Sequence, residues 1–160
     1  MKTIKAKPLT VEGFRPYGSF TDILNPTGFD LDGFYRDQVG MNVSGNMQIT
    51  FSPLVVRKPE KMIVSKAEYH NTTQEGVLCL DDDVIFHVAP AGKEPVPELT
   101  EAFIVKKGTL ICLNTGTWHL SAIPLNKDIA HVLIVLPERI YFNDLCIVEY
   151  PEEQQLLIEL

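Results

Sequence analysis

A chain of 160 residues, 45% of them apolar, is long enough to bury a sizeable core and reads as a single domain. Its formal net charge of −7, with no run of lysine or arginine, argues against partners that require a basic surface, so neither nucleic acid nor an anionic membrane is expected. No apolar stretch has the length of a membrane span, and "MKTIKAKPLT" lacks the apolar centre of a secretory leader, so a cytoplasmic protein is expected.

In chain order, residues 1–44 read as an N-terminal arm and irregular segment packing on a barrel. Within it, "LTVEGFRPYG" is expected to form a short helix, with Thr10 as its cap, Glu12 in its first turn and an end by Pro16. Residues 21–47 are rich in Gly, Asp and Asn and are expected to be a long loop. From residue 45 to 150 the chain divides into short β-rich runs such as "MQITFSPLVVR", "GVLCL", "VIFHVA", "GTLICL" and "AHVLIVL". Turn signals separate them at Asp81-Asp82-Asp83, Pro90-Ala91-Gly92, Lys107-Gly108 and Asn126-Lys127-Asp128. No stretch between them is long enough for a crossover helix. The expected fold class is therefore all-β, an antiparallel barrel or sandwich of at least eight strands. The triple aspartate reads as a solvated hairpin turn, since the spacing of a calcium loop is missing. "PEEQQLLIEL", residues 151–160, is expected to be a C-terminal helix or tail with Pro151 at its start.

Cys79, Cys112 and Cys146 each lie in an apolar run without metal-type spacing, and read as reduced, buried thiols. A homodimer is expected, because pairing covers exposed strand edges; "LCIVEY" or the N-terminal arm would supply the contact.

Two segments carry chemistry. In "AEYHNTTQEGV", Glu68 and His70 are two apart and project from one face of an extended strand. Glu75 follows after four residues and shares its side with Val77 and Cys79, which favours an inward direction. In "GTLICLNTGTWHL" a tight turn delivers the only tryptophan, Trp118, next to His119. Glu68, His70, Glu75 and His119 are thus expected to converge inside the barrel. Imidazole and carboxylate without thiolate suit Zn, Mn, Fe or Ni. His87 and His131 read as structural.

The paired segments resemble the two motifs of the cupin superfamily. The first reads Glu68-x-His70-x4-Glu75, with Glu68 where a histidine is usual; the second reads Gly108-x5-Asn114-x-Gly116-x-x-His119, with Asn114 where proline is usual. A narrower resemblance extends over nearly the whole chain, to the ureidoglycolate lyase family of cupins in allantoin catabolism. "KPLTVEGFRPYG", "VVRKP", "AEYH", "PELTEAFIV" and "GTLICLNTGTWHLSAIPL" are similar to its segments, and Trp118-His119 followed by Pro124 is the most specific piece. The chain departs from that family at Glu75, commonly glutamine there, and at Leu120, where a second histidine is typical.

The resemblance implies a jelly-roll barrel and a carbon–nitrogen lyase that takes ureidoglycolate to glyoxylate and urea. On that reading Glu75, His119 and Glu68 are the candidate catalytic residues. Arg57 and Trp118 are the candidate substrate contacts, Arg57 as a bidentate grip on a carboxylate. Glu68, His70, Glu75 and His119 are the candidate ligands of a divalent metal (Zn, Mn, Ni or Fe), and a metal-free site is the alternative. A metal-binding cupin acting on another small carboxylate or a sugar, or a non-catalytic small-ligand binder, remain the competing functions.

Overall fold

A computed structural model describes residues 1–43 and 45–160; Ser44, the last residue of the expected arm, lies outside them. The fold is all-β, a cupin-like sandwich of two curled sheets with helices of about one turn. The smaller sheet has five strands, all antiparallel, in the order Gly18–Asp22, Thr109–Leu113, Glu75–Cys79, Ile129–Pro137 and Ile49–Arg57. Its period-two pattern explains how it packs. In Ile129–Pro137 the alternate residues Ala130, Val132, Ile134 and Leu136 are buried, so the strand turns one side to the core.

The larger sheet runs Cys146–Glu149, Lys66–Tyr69, Trp118–His119, Val84–Ala89, Glu101–Val105, Lys2–Pro8, Leu156–Glu159 and Ile63–Val64, and Ile123–Pro124 also pairs with Val84–Ala89. It curls back on itself. Ile63–Val64 ends one edge, Lys66–Tyr69 lies beside the other, and Ser65 joins them in the chain. The Ser65 carbonyl accepts the Tyr150 N–H at 2.8 Å, which ties the curl shut.

Two apolar cores result. One lies between the sheets, around Phe14, Val77, Phe86, Phe103, Ile111 and Val132. The other lies within the curl, around Val64, Ala67, Ile85, Trp118, Leu156 and Ile158. Val84–Ala89 stands between them with all six residues buried, which explains an apolar run without alternation. Each large apolar side chain so buried contributes about 1.5–3 kcal/mol of transfer free energy.

The expected first helix forms over Val11–Phe14. Thr10 Oγ1 accepts the Gly13 N–H at 3.1 Å, and Phe14 is fully buried in the first core. Three expectations need correction. The C-terminal segment is not a helix: after a single turn at Glu152–Gln154, Leu156–Glu159 is a strand with Leu156 and Ile158 facing inward. The sheets are not wholly antiparallel, because Lys2–Pro8 lies parallel to both Glu101–Val105 and Leu156–Glu159. That strand is paired on both sides, and Cys146–Glu149 ends its sheet. Finally, the triple aspartate is not simply solvated. Asp82 is buried, and its carboxylate accepts the backbone N–H groups of Asn126 and Lys127 and the Asn126 side chain at 2.9–3.0 Å.

Residues 21–47 are mostly irregular, with a small hairpin pairing Asp30–Leu31 with Phe34–Tyr35. Among the described residues no helix is long and apolar enough to cross a membrane.

Candidate active site

The second motif folds as a turn that aims two side chains in opposite directions. Gly116 sits at φ +81, where a side chain would strain the backbone, and its N–H donates to the His70 carbonyl at 2.8 Å. The strand Trp118–His119 then begins. Adjacent strand residues point to opposite faces, so the pair serves both cores. Trp118 is completely buried in the second core; its ring meets Tyr69 edge-on and its Nε1–H donates to the Gly92 carbonyl at 3.1 Å. It is an anchor and does not line the cavity. His119 faces the space between the sheets.

There it meets the first motif. Glu68 lies directly across from His119 on the neighbouring strand, so the two share a face. His70 follows the end of Lys66–Tyr69, and residues 71–74 carry the chain to the opposite sheet, where Glu75 opens Glu75–Cys79. The parity argument for Glu75, Val77 and Cys79 thus agrees with the burial of all three. His70, just past the end of Lys66–Tyr69, and His119, on the strand beside it, have ring centroids 5.8 Å apart, and the group that faces them is Glu75.

The three buried side chains form a clamp. Nε2 of His119 lies 2.8 Å and Nε2 of His70 lies 3.2 Å from the same Glu75 Oε2. On the far side of each ring, Nδ1 meets a backbone carbonyl, that of Asp144 at 2.6 Å for His70 and that of Thr117 at 2.8 Å for His119. A carbonyl only accepts, so Nδ1 carries the hydrogen in both rings. In the neutral ring, Nε2 then presents a lone pair toward Glu75. Two such lone pairs and a carboxylate at this distance require a positive charge between them, supplied either by protons on the rings or by a cation. Protonated rings satisfy it: burial pulls the pKa values of His119 and His70 down, but the Glu75 carboxylate and the carbonyls outweigh it and raise both. Burial pushes Glu75 up, and the two histidines more than offset this and hold it well below the ordinary carboxylate range.

A divalent metal satisfies the same requirement. The ligand atoms of His70, Glu75 and His119 lie within 4.8 Å of one another. A metal-bound imidazole ordinarily donates its other N–H to a carbonyl or carboxylate, as both rings do here. The donor set therefore fits a borderline ion such as Zn, Mn, Fe or Ni.

Next to the clamp opens a chamber of about 310 Å³, at the small end of the usual 300–1,000 Å³ for small-ligand sites. Glu68, Glu75 and His119 form its polar end, and Leu54, Val77, Phe86 and Ile134 its apolar wall. Burial raises the pKa of Glu68, and the nearby Glu75 charge adds to this against the opposing pull of the histidines. Glu75 is thus fixed as an anion, while Glu68 is shifted toward the range of a working base. Arg57 does not reach the chamber. Leu54 and Val56 point inward on its strand, and Arg57 is exposed on the alternate, outer face. His131 is also at the surface, paired with Asp81 at 2.8 Å. Sequence reasoning passed over Tyr141, which lines the chamber, and Asp144, which holds His70; neither lies in a recognisable motif.

No family model matches the sequence. It is similar to a protein of Agrobacterium fabrum that carries the name ureidoglycolate lyase provisionally, 27% identical over 128 residues spanning 78% of this chain and 77% of that protein. It is similar also to the ureidoglycolate lyase of Pseudomonas aeruginosa, 26% identical over 137 residues and 79% of each chain, and to that of Pseudomonas paraeruginosa at the same identity and coverage.

Proposed function

We propose that this chain is an enzyme of the ureidoglycolate lyase type, cleaving ureidoglycolate to glyoxylate and urea. The observation that carries the reading is the division of labour between two carboxylates at one end of a small chamber. Glu75 is held as an anion by two imidazoles, and Glu68 beside it has a raised pKa. The similarity to proteins bearing that name supports it.

The reaction needs one base and one returned proton. Glu68 takes the proton of the substrate hydroxyl, the carbon–oxygen double bond forms, and the carbon–nitrogen bond breaks. The proton then passes from Glu68 to the departing nitrogen, giving urea. A divalent ion held by His70, Glu75 and His119 would supply positive charge beside the substrate carboxylate and hydroxyl.

A second reading has a specific observation behind it. Among the described residues that line the chamber there is no arginine or lysine. An anionic substrate must therefore find its counter-charge in the clamp, whereas a neutral polyol or sugar needs none. Urea release from ureidoglycolate by the purified protein, metal-free and metal-loaded, separates the two. Turnover above the spontaneous rate, reduced roughly 10²–10⁴-fold by Glu68→Gln, is expected for a positioned base. Absence of turnover in both forms would discard the lyase reading in favour of the second.

A further inference from the structure

Among the described residues, the side chains lining the chamber include two neutral hydrogen-bond donors, Ser121 and Tyr141. Tyr141 sits on a one-turn helix, Ile140–Asn143, whose three successive apolar and aromatic residues have three different fates. Ile140 is buried in the first core, Phe142 is 91% exposed, and Tyr141, 55% exposed, turns one side to the chamber and the other to solvent. The helix is entered through Arg139 in the left-handed region, φ 60, a conformation that persists only where surrounding contacts hold it.

Asp144 fastens the other end of the helix. Its N–H donates to the Ile140 carbonyl at 2.8 Å and closes the helical turn. Its carboxylate accepts the N–H of Asn71, the N–H of Thr72 and the Thr72 hydroxyl at 2.6–2.7 Å. Its carbonyl is the one that fixes His70. One residue thus fastens the helix bearing Tyr141 to the loop that joins His70 and Glu75. The phenol also senses the site: partial burial and the charges of Glu75 and Glu68 raise its pKa, so it remains a donor through the neutral range.

We propose that Tyr141 is a substrate-contacting residue, its phenol O–H donating to the carbonyl oxygen of the departing ureido group, and that Asp144 is the positioning residue that seats it. As the carbon–nitrogen bond breaks, its electron pair moves onto the ureido group and spreads to that oxygen. The phenol stabilises this charge without giving up its proton, which leaves Glu68 to protonate the nitrogen. This role rests on the ureidoglycolate reading, and its test is arranged so that the two can fail separately.

Tyr141→Phe is expected to lower kcat by about 10²-fold, the scale of losing one oxyanion-type donor, while KM changes by less than about threefold. Asp144→Ala is expected to lower kcat similarly, Asp144→Asn to recover part of it through its remaining acceptor, and the Asp144→Ala/Tyr141→Phe double variant to lose less than the product of the single losses. Circular dichroism confirms that each variant is folded before kinetics are compared. Wild-type kcat in Tyr141→Phe would overturn the contact, and multiplicative losses in the double variant, or no recovery in Asp144→Asn, would overturn the positioning role. If the wild type itself turns over no ureidoglycolate, the lyase reading falls, and the contact is decided by the Tyr141 ring resonance, assigned by its absence in Tyr141→Phe. A shift on titration with urea and glyoxylate upholds it, and an unchanged resonance up to saturating additions overturns it.

Discussion

His87 and His119 are almost equally buried, 4% and 3% exposed, and their pKa values move in opposite directions. His87 lies on Val84–Ala89 and alternates with Ile85 and Ala89, which line the core within the curl. No carboxylate offsets its burial, and the nearby His119 adds to the effect, so its pKa falls to about 3 and the ring is neutral. His119, on the next strand, faces the other core and meets Glu75 at 2.8 Å, which raises its pKa despite the same burial. Burial alone therefore does not make a site of a histidine. The partner does, and the alternation of a strand decides which core, and so which partner, the ring is given.

The widest separation between these two rings is expected in activity. His119→Ala should lower kcat for urea release roughly 10²–10⁴-fold, measured at matched folded fraction; Glu75 keeps His70 as a partner, so the clamp is not left with an unpaired anion. His87→Leu replaces a neutral ring with an apolar group of similar size. It should change unfolding free energy by less than about 1.5 kcal/mol and leave kcat per folded molecule within a few-fold. Equal losses of activity in the two variants would break the comparison.

A second contrast is between the clamp, whose charges face a chamber, and Asp82, a buried charge that only joins two turns. Burial raises the Asp82 pKa, but the N–H of Lys127 and the donors of Asn126 outweigh it and hold it low. A carboxylate with a depressed folded pKa stabilises fully above its unfolded value, about 3.9, and loses that contribution as pH falls through the folded value. Asp82→Ala should therefore cost about 1–3 kcal/mol at pH 7, because buried donors are left unpaired. The gap from wild type should close as denaturant titrations are repeated at falling pH below about 4. Activity per folded molecule should not change, which sets Asp82 apart from Glu75.

These contrasts show what local pattern conveys and what it does not. The β-rich run "AHVLIVL" announced a strand, and the parity of Glu75 with Val77 and Cys79 put its carboxylate in the core. The spacing from Gly108 through Gly116 to His119 reflects a turn that must be made before the ring can face inward. Other features depend on distant partners. Lys2–Pro8 becomes a strand because Glu101–Val105 and Leu156–Glu159 receive it, about a hundred and a hundred and fifty residues away. "LLIEL" is too short for periodicity to choose between helix and strand, and its pairing with Lys2–Pro8 chose. Trp118 was expected to contact substrate beside His119, but a ring adjacent to a site residue on a strand points away from the site.

Arg57 gives the smallest expected effect. The fit between a guanidinium and a substrate carboxylate suggested a grip, and "VVRKP" is one of the segments that carry the resemblance. Its neighbour Val56 faces the core, however, and Arg57 follows at the outward position opposite Ile129, at the end of an edge strand. A residue there does not face the chamber of its own chain, and exposed charges away from a site usually alter stability by no more than about 0.5 kcal/mol. Arg57→Ala should therefore leave both KM and kcat for urea release within about twofold of wild type, in contrast to Tyr141→Phe. A large rise in KM with unchanged kcat would mean that Arg57 binds substrate after all, through a chamber completed by something outside the single chain. Repeating the measurement across protein concentration would then show whether a second copy brings it there.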